Sequence, residues 1–159
     1  MGYNKEMIEQ IAKYLTENNF TLSIAESCTG GLISSMFTDI SGASKFIKQN
    51  FVTYSNDAKV RLLGVNPHII DDCGVVSEQV ARDMARGTVE KYGADFGLST
   101  TGKLDGEGAG EVYVGFAMRK GGTKVLHYIS PKVGRIPVKQ DIAACAIDFL
   151  WERLNANPH

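Results

Sequence analysis

Ala25-Glu26-Ser27-Cys28-Thr29-Gly30-Gly31 follows a short apolar alternation, Thr21-Leu22-Ser23-Ile24, and precedes Leu32, Ile33, Met36 and Phe37 at helical spacing. The order reads strand, polar turn, helix. Such a turn presents hydroxyls and backbone N–H groups at a helix N-terminus, where the dipole favours an anion. A phosphate-bearing small molecule is therefore the first ligand to consider. An ordinary cap explains the same residues, with Ser27 or Thr29 satisfying N–H groups and the glycines allowing close packing. On this run alone the cap stands ahead of the ligand site.

Outward from this turn the chain alternates strands and helices. Asn4 is placed to cap a helix to about Glu17, with Met7, Ile8, Ile11, Ala12 and Leu15 on one face. The strand at Thr21 to Glu26 leads to a helix over Thr29 to Asp39, and Ile40 to Phe46 is a Gly/Ser loop. Phe51-Val52-Thr53-Tyr54 is β-branched and aromatic and reads as a strand. Ser55-Asn56 supplies a cap for a short helix over Ala58 to Leu63, and Ser77 caps a longer helix that Gly93 ends. Ala94 to Thr101 is a third strand, followed by a glycine-rich loop from Gly102 to Gly110. Glu111 to Arg119 and Thr123 to Ser130 join through Lys120-Gly121-Gly122 as an antiparallel hairpin. Pro137 suits the first turn of a final helix carrying Ile142, Cys145, Ala146, Phe149 and Leu150, and the tail frays from Asn155.

This pattern predicts an α/β fold: a three-layer α/β/α sandwich on a mixed, mostly parallel five-stranded sheet ending in an antiparallel hairpin. In such sheets ligands gather beyond the C-terminal ends of strands. Those loops are Glu26 to Gly31, Tyr54 to Lys59 and Thr101 to Gly110, all rich in hydroxyls or glycines. With 159 residues and no linker or repeat, the expectation is a single domain over 1–159.

Composition narrows the partners. A formal net charge of −1 and no basic cluster argue against nucleic acid and anionic membrane. No apolar run reaches membrane-spanning length, and the N-terminus lacks a signal-peptide core. The three cysteines, Cys28, Cys73 and Cys145, are far apart and without metal-ligand spacing. The expectation is a cytoplasmic protein with no metal and no cofactor.

Several residues carry possible chemistry. Lys59 falls in the first turn of its helix, where the dipole disfavours an ammonium, so a desolvated Lys59 can serve as general base. Tyr54 at the strand end can relay a proton. A solvated Lys59 and a core Tyr54 explain the same spacing. A Ser–Lys pair activates a hydroxyl for attack on an amide, and two serines compete for the role. Ser44 lies in Ser41-Gly42-Ala43-Ser44-Lys45, and Ser27 lies in the opening turn. Cys28 at a helix start is open to a lowered thiol pKa, but no histidine is near it in sequence and a buried filler accounts for it. Arg135 is suited to clamp a phosphate or to sit in solvent. Asp105 and Glu107 form an acid/base pair or part of a solvated loop.

Taken together, the opening run, Gly42-Ala43-Ser44, Phe51 to Lys59, Leu63-Gly64-Val65, Gly74-Val75-Val76-Ser77-Glu78 and Thr101-Gly102 resemble the CinA C-terminal domain family of nicotinamide-nucleotide amidases. The resemblance implies a self-associating α/β/α domain, a homodimer or higher homo-oligomer. It also implies a metal-independent amidohydrolase converting nicotinamide mononucleotide to nicotinate mononucleotide and ammonia. It assigns Ser44 as nucleophile, with Tyr54 and Lys59 activating it. Thr101 and Gly102 then line the pocket, Arg135 meets the phosphate, and Ser27, Thr29 and Gly30 shape the anion end. The loop departs from the family: Lys103 to Gly110 replaces a longer stretch that begins Ile-Ala-Gly-Pro and closes Lys-Pro-Val-Gly. A proline-free glycine loop is expected to be mobile without ligand. The departure supports a second reading, a catalytically weak homologue serving as a nucleotide-binding or regulatory module.

Overall fold

Strand β1 (Leu22–Glu26) is buried along its whole length, as a strand covered on both faces must be. A computed structural model describes residues 5–156. In chain order the elements are α1 (Lys5–Glu17), β1, α2 (Leu32–Thr38), a 3₁₀ turn (Ala43–Lys45), β2 (Phe51–Val52), α3 (Asn56–Leu63), α4 (Pro67–Cys73) and α5 (Glu78–Glu90). They continue with β3 (Phe96–Gly102), β4 (Glu111–Met118), β5 (Thr123–Ile129) and α6 (Arg135–Ala156). All five strands join one sheet in the order β2-β1-β3-β4-β5. β1 runs parallel to β2 and β3, with Ala25 opposite Phe51 and Ser99. β3, β4 and β5 pair antiparallel, so the antiparallel end of the sheet begins one strand before the expected hairpin.

Alternation along the strands divides the core between the two faces. Leu22 and Ile24 of β1 pack with the apolar stripes of α1, α2 and α6, including Ile8, Phe37, Ile142 and Leu150. Ala25 packs on the other face with Phe51, Leu63, Val80 and Met84, under α3 and α5. Each fully buried Leu, Ile or Phe contributes about 1.5–3 kcal/mol. The three-layer α/β/α sandwich is therefore the architecture. Gly87 on α5 permits the tight approach of α5 to α3, because a Cβ there would lie 2.1 Å from the Leu63 carbonyl oxygen.

Local signals set the ends. Ser55 caps α3 by accepting from the Ala58 amide at 3.0 Å, and Ser77 caps α5 by accepting from the Val80 amide at 3.2 Å. α2 starts at Leu32, the first residue of its apolar pattern and three residues after the expected Thr29, because Thr29-Gly30-Gly31 form a turn. β2 keeps only Phe51 and Val52. The loop after α2 contains the short turn over Ala43–Lys45. Helix α4 was not anticipated, although Asn66-Pro67 carries its start signal: Asn66 accepts from the His68 amide at 2.9 Å and Pro67 opens the helix. The fraying expected from Asn155 does not begin there, since Asn155 lies in α6 and its side-chain amide donates to the Trp151 carbonyl at 2.8 Å. The expected Asn4 cap lies outside the described residues.

Candidate active site

The turn after β1 is built around a buried carboxylate. Glu26 is fully buried. One of its oxygens accepts from the Thr29 hydroxyl at 2.5 Å and the Gly31 and Ile33 amides at 3.2 and 3.0 Å. The other accepts from the amide and hydroxyl of Ser34 at 2.8 and 2.7 Å. These amides are the orphan donors of the α2 N-terminus, and the negative charge meets the positive end of the dipole. Gly30 and Gly31 have φ of 62° and 100°, left-handed values that a side chain disfavours. The helix start first offered as an anion site is thus filled from within the chain. Thr29 is buried, with its hydroxyl also 2.9 Å from that of Thr100. The expectation that Thr29 and Gly30 face a ligand gives way to a structural role for both.

Ser27 is set apart from this network. Its amide donates to the Thr100 carbonyl at 3.2 Å, and its carbonyl accepts from the Gly30 amide at 3.1 Å. Its hydroxyl accepts from Lys59 Nζ at 2.9 Å. Lys59, on the first turn of α3, is 1 % exposed, and its ammonium also donates to the Thr53 carbonyl at 2.8 Å. No carboxylate forms an ion pair with it among the described residues. Burial without a counter-ion disfavours the charge and lowers the Lys59 pKa from 10.5 to about 8. The neighbouring Cys28 thiol supplies no counter-charge at neutral pH, since burial pushes its pKa up to about 12. Cys28 is accordingly an inert, buried group rather than an activated thiol.

Ser27 and Lys59 open onto a cavity of about 270 Å³ beyond the C-terminal ends of β1, β2 and β3. Tyr54, Asn56, Thr101, Gly102 and Arg135 also line it. Thr101 donates its hydroxyl to the Val75 carbonyl at 2.7 Å, fixing the segment between α4 and α5 as one wall. The 103–110 loop forms the other side, through Lys103, Leu104 and Asp105. Arg135, the first residue of α6, donates to Asp105 at 2.6 Å and to the Tyr54 hydroxyl at 3.5 Å. Tyr54 is 62 % exposed rather than a core residue, and its partner is Arg135, not Lys59.

Ser44 lies elsewhere. It is exposed on the 3₁₀ turn, and Phe46, two residues on, accepts from the Leu22 amide at 2.9 Å. That places Ser44 beside the start of β1, whereas Ser27 follows its end, a strand length of about 13 Å away. The expected convergence of Ser44, Tyr54 and Lys59 therefore does not form, and the serine against Lys59 is Ser27. Two groups escaped sequence reasoning. Glu26 reads only as the last residue of its strand, although Thr29, whose hydroxyl donates to it, follows three positions on. Thr53 acts through its carbonyl, which no side-chain pattern reveals.

The site lies where a doubly wound α/β domain places its ligands, with a serine–lysine pair at a strand end. A family model for the CinA C-terminal domain matches residues 4–154, and the chain belongs to that family. It is 48% identical over 149 residues to a CinA-like protein of Chlorobium chlorochromatii, covering 90% of this chain and 35% of that one. A CinA-like protein of Shewanella amazonensis is 40% identical over 162 residues, covering 98% of this chain and 38% of the relative. The chain thus spans little more than a third of the length of these two curated relatives. The crystal structure of a competence/damage inducible protein from Agrobacterium tumefaciens superposes with a TM-score of 0.87 at 32% identity, covering 92% of each chain. A competence damage-inducible protein A from Klebsiella pneumoniae gives 0.90 at 25% identity, over 96% of this chain and 98% of that one.

Proposed function

We propose that this chain is an amidohydrolase that uses Ser27 as nucleophile and Lys59 as general base on a phosphate-bearing nicotinamide nucleotide. The observation that carries the reading is the 2.9 Å contact between the Ser27 hydroxyl and the buried Lys59 amine, at the wall of a cavity also lined by Lys103 and Arg135. An amine of pKa about 8 is partly neutral near pH 7 and within reach of the hydroxyl proton. Substrate identity follows the family resemblance, with nicotinamide mononucleotide as the amide.

Neutral Lys59 takes the Ser27 proton, and the Ser27 oxygen attacks the carboxamide carbon. The lysine ammonium then protonates the departing nitrogen, the C–N bond breaks and ammonia leaves an ester on Ser27. Water attacks that ester, giving its proton to Lys59, which returns it to Ser27 as nicotinate mononucleotide departs. Thr53 holds the ammonium in place by its carbonyl at 2.8 Å. Tyr54, Thr101, Gly102 and Arg135 bound the substrate. Self-association, a cytoplasmic setting and a single domain belong to the same reading. Among the described residues, no helix is long and apolar enough to cross a membrane.

Ammonia release from nicotinamide mononucleotide tests the reading, with Ser27→Ala and Lys59→Ala as controls. The regulatory-module reading draws on one observation: Asp105, from the loop that departs from the family, already binds Arg135. Tight nucleotide binding without ammonia release is the outcome that favours it.

A further inference from the structure

Among the described residues lining the cavity, Asp105 is the single carboxylate, against three cations, Lys59, Lys103 and Arg135. Its oxygen lies 2.6 Å from Arg135 Nη1, while Nη2 reaches the Tyr54 hydroxyl at 3.5 Å. The bridge ties the 103–110 loop and α6 to the segment after β2. Both partners stay wet, with side chains 51% and 64% exposed, so the pair is exchangeable. A phosphomonoester dianion carries more charge and a larger set of acceptor oxygens for the same guanidinium fork.

The loop does not depend on this pair for its shape. The Lys103 amide donates to the Glu111 carbonyl at 2.9 Å, and the Gly110 amide donates to the Lys103 carbonyl at 2.7 Å. Leu104 is buried in the main core. Asp105 can therefore leave Arg135 by side-chain rotation while the loop backbone stays in place.

We propose that Asp105 tunes the affinity of the cavity for phosphate by occupying its place: the carboxylate is an internal anion on Arg135, which the phosphate of the substrate displaces. This rests on the reading that an anionic nucleotide occupies the cavity. Every anion that uses Arg135 displaces the same pair, so Asp105 lowers their affinities by a common factor and leaves the site to those whose own contacts exceed that cost.

The test is calorimetric titration of inorganic phosphate into the wild-type chain, Asp105→Asn, Arg135→Gln and the double variant, with folding checked by circular dichroism. Release of an exposed ion pair predicts phosphate binding about three- to five-fold tighter in Asp105→Asn. Arg135→Gln loses the binding, and the double variant matches it. Unchanged, weaker or undetectable phosphate binding in Asp105→Asn overturns the proposal, as does tight binding without Arg135. Turnover of nicotinamide mononucleotide is measured alongside. Tighter phosphate binding with no ammonia release would remove the amidase reading and leave this one standing.

Discussion

Replacing Lys59 by methionine keeps most of the length of the side chain and removes its charge. In the unfolded chain Lys59 titrates at 10.5, and in the folded protein at about 8. Each pH unit between the two is worth about 1.4 kcal/mol, so burying the ammonium costs folding about 3 kcal/mol. Below about pH 8 both states are protonated and that cost is present in full. Between pH 8 and 10.5 the unfolded chain binds more protons than the folded one, so stability rises with pH. Above 10.5 the lysine is neutral in both states and the cost is gone. Methionine avoids the cost but leaves the Ser27 hydroxyl and Thr53 carbonyl without their donor, a loss of about 1–3 kcal/mol. The net change at pH 7 is therefore small, and the diagnostic quantity is the difference between the two proteins as a function of pH. Cys28, Cys145 and Tyr128, each pushed up to about 12 by burial, lower stability in alkali in both proteins and largely cancel in that difference. Urea unfolding followed by Trp151 fluorescence, from about pH 7 to 10.5, measures it. Wild-type stability relative to Lys59→Met should climb by about 3 kcal/mol across the window. Parallel curves would refute the account of Lys59 as a buried, unpaired cation.

Ser27→Ala should lower ammonia release from nicotinamide mononucleotide by at least about a thousand-fold. Adding Lys59→Ala should cost little more, because the two act as a unit. Ser44→Ala should leave turnover near wild type, and a larger loss from Ser44→Ala than from Ser27→Ala would reverse the nucleophile assignment. The pH profile of kcat/KM should rise along an acid limb with an apparent pKa of about 8, the value set by Lys59 burial; a limb near 6 would point to another base. Gly87→Ala should destabilise the fold by about 3 kcal/mol in thermal unfolding, because its methyl meets the Leu63 carbonyl and α3 must move. An unchanged Tm would show that the two helices are free to part there.

The layers of the fold were legible because periodicity reports burial directly. Ile8, Ile11 and Leu15 at helical spacing, and Leu22 and Ile24 at strand spacing, name their core face without knowledge of partners. The seam between Ser27 and Lys59 was not legible in the same way. The two residues are 32 positions apart, and only the parallel pairing of β1 with β2 brings the turn after one beside the helix after the other. Lys59 in a first turn allowed both a solvated and a desolvated reading, and its contacts, Ser27 and Thr53, lie beyond the ends of β1 and β2. Ser44 misled because its motif resembles the family while its position depends on a loop path, set by the Leu22–Phe46 hydrogen bond. The loop from Lys103 to Gly110 read as free on composition, yet Leu104 is an apolar anchor within it.

Glu26 has a consequence for the timing of assembly. Because this carboxylate supplies from inside the chain what an arriving anion would supply at the start of α2, the turn takes its curvature without any ligand. The backbone bearing Ser27 then has no conformational search to complete at each encounter, and freedom to adapt is left to the Tyr54, Asp105 and Arg135 side chains at the mouth. On the proposed function, each turnover would begin from a rigid floor and a movable rim.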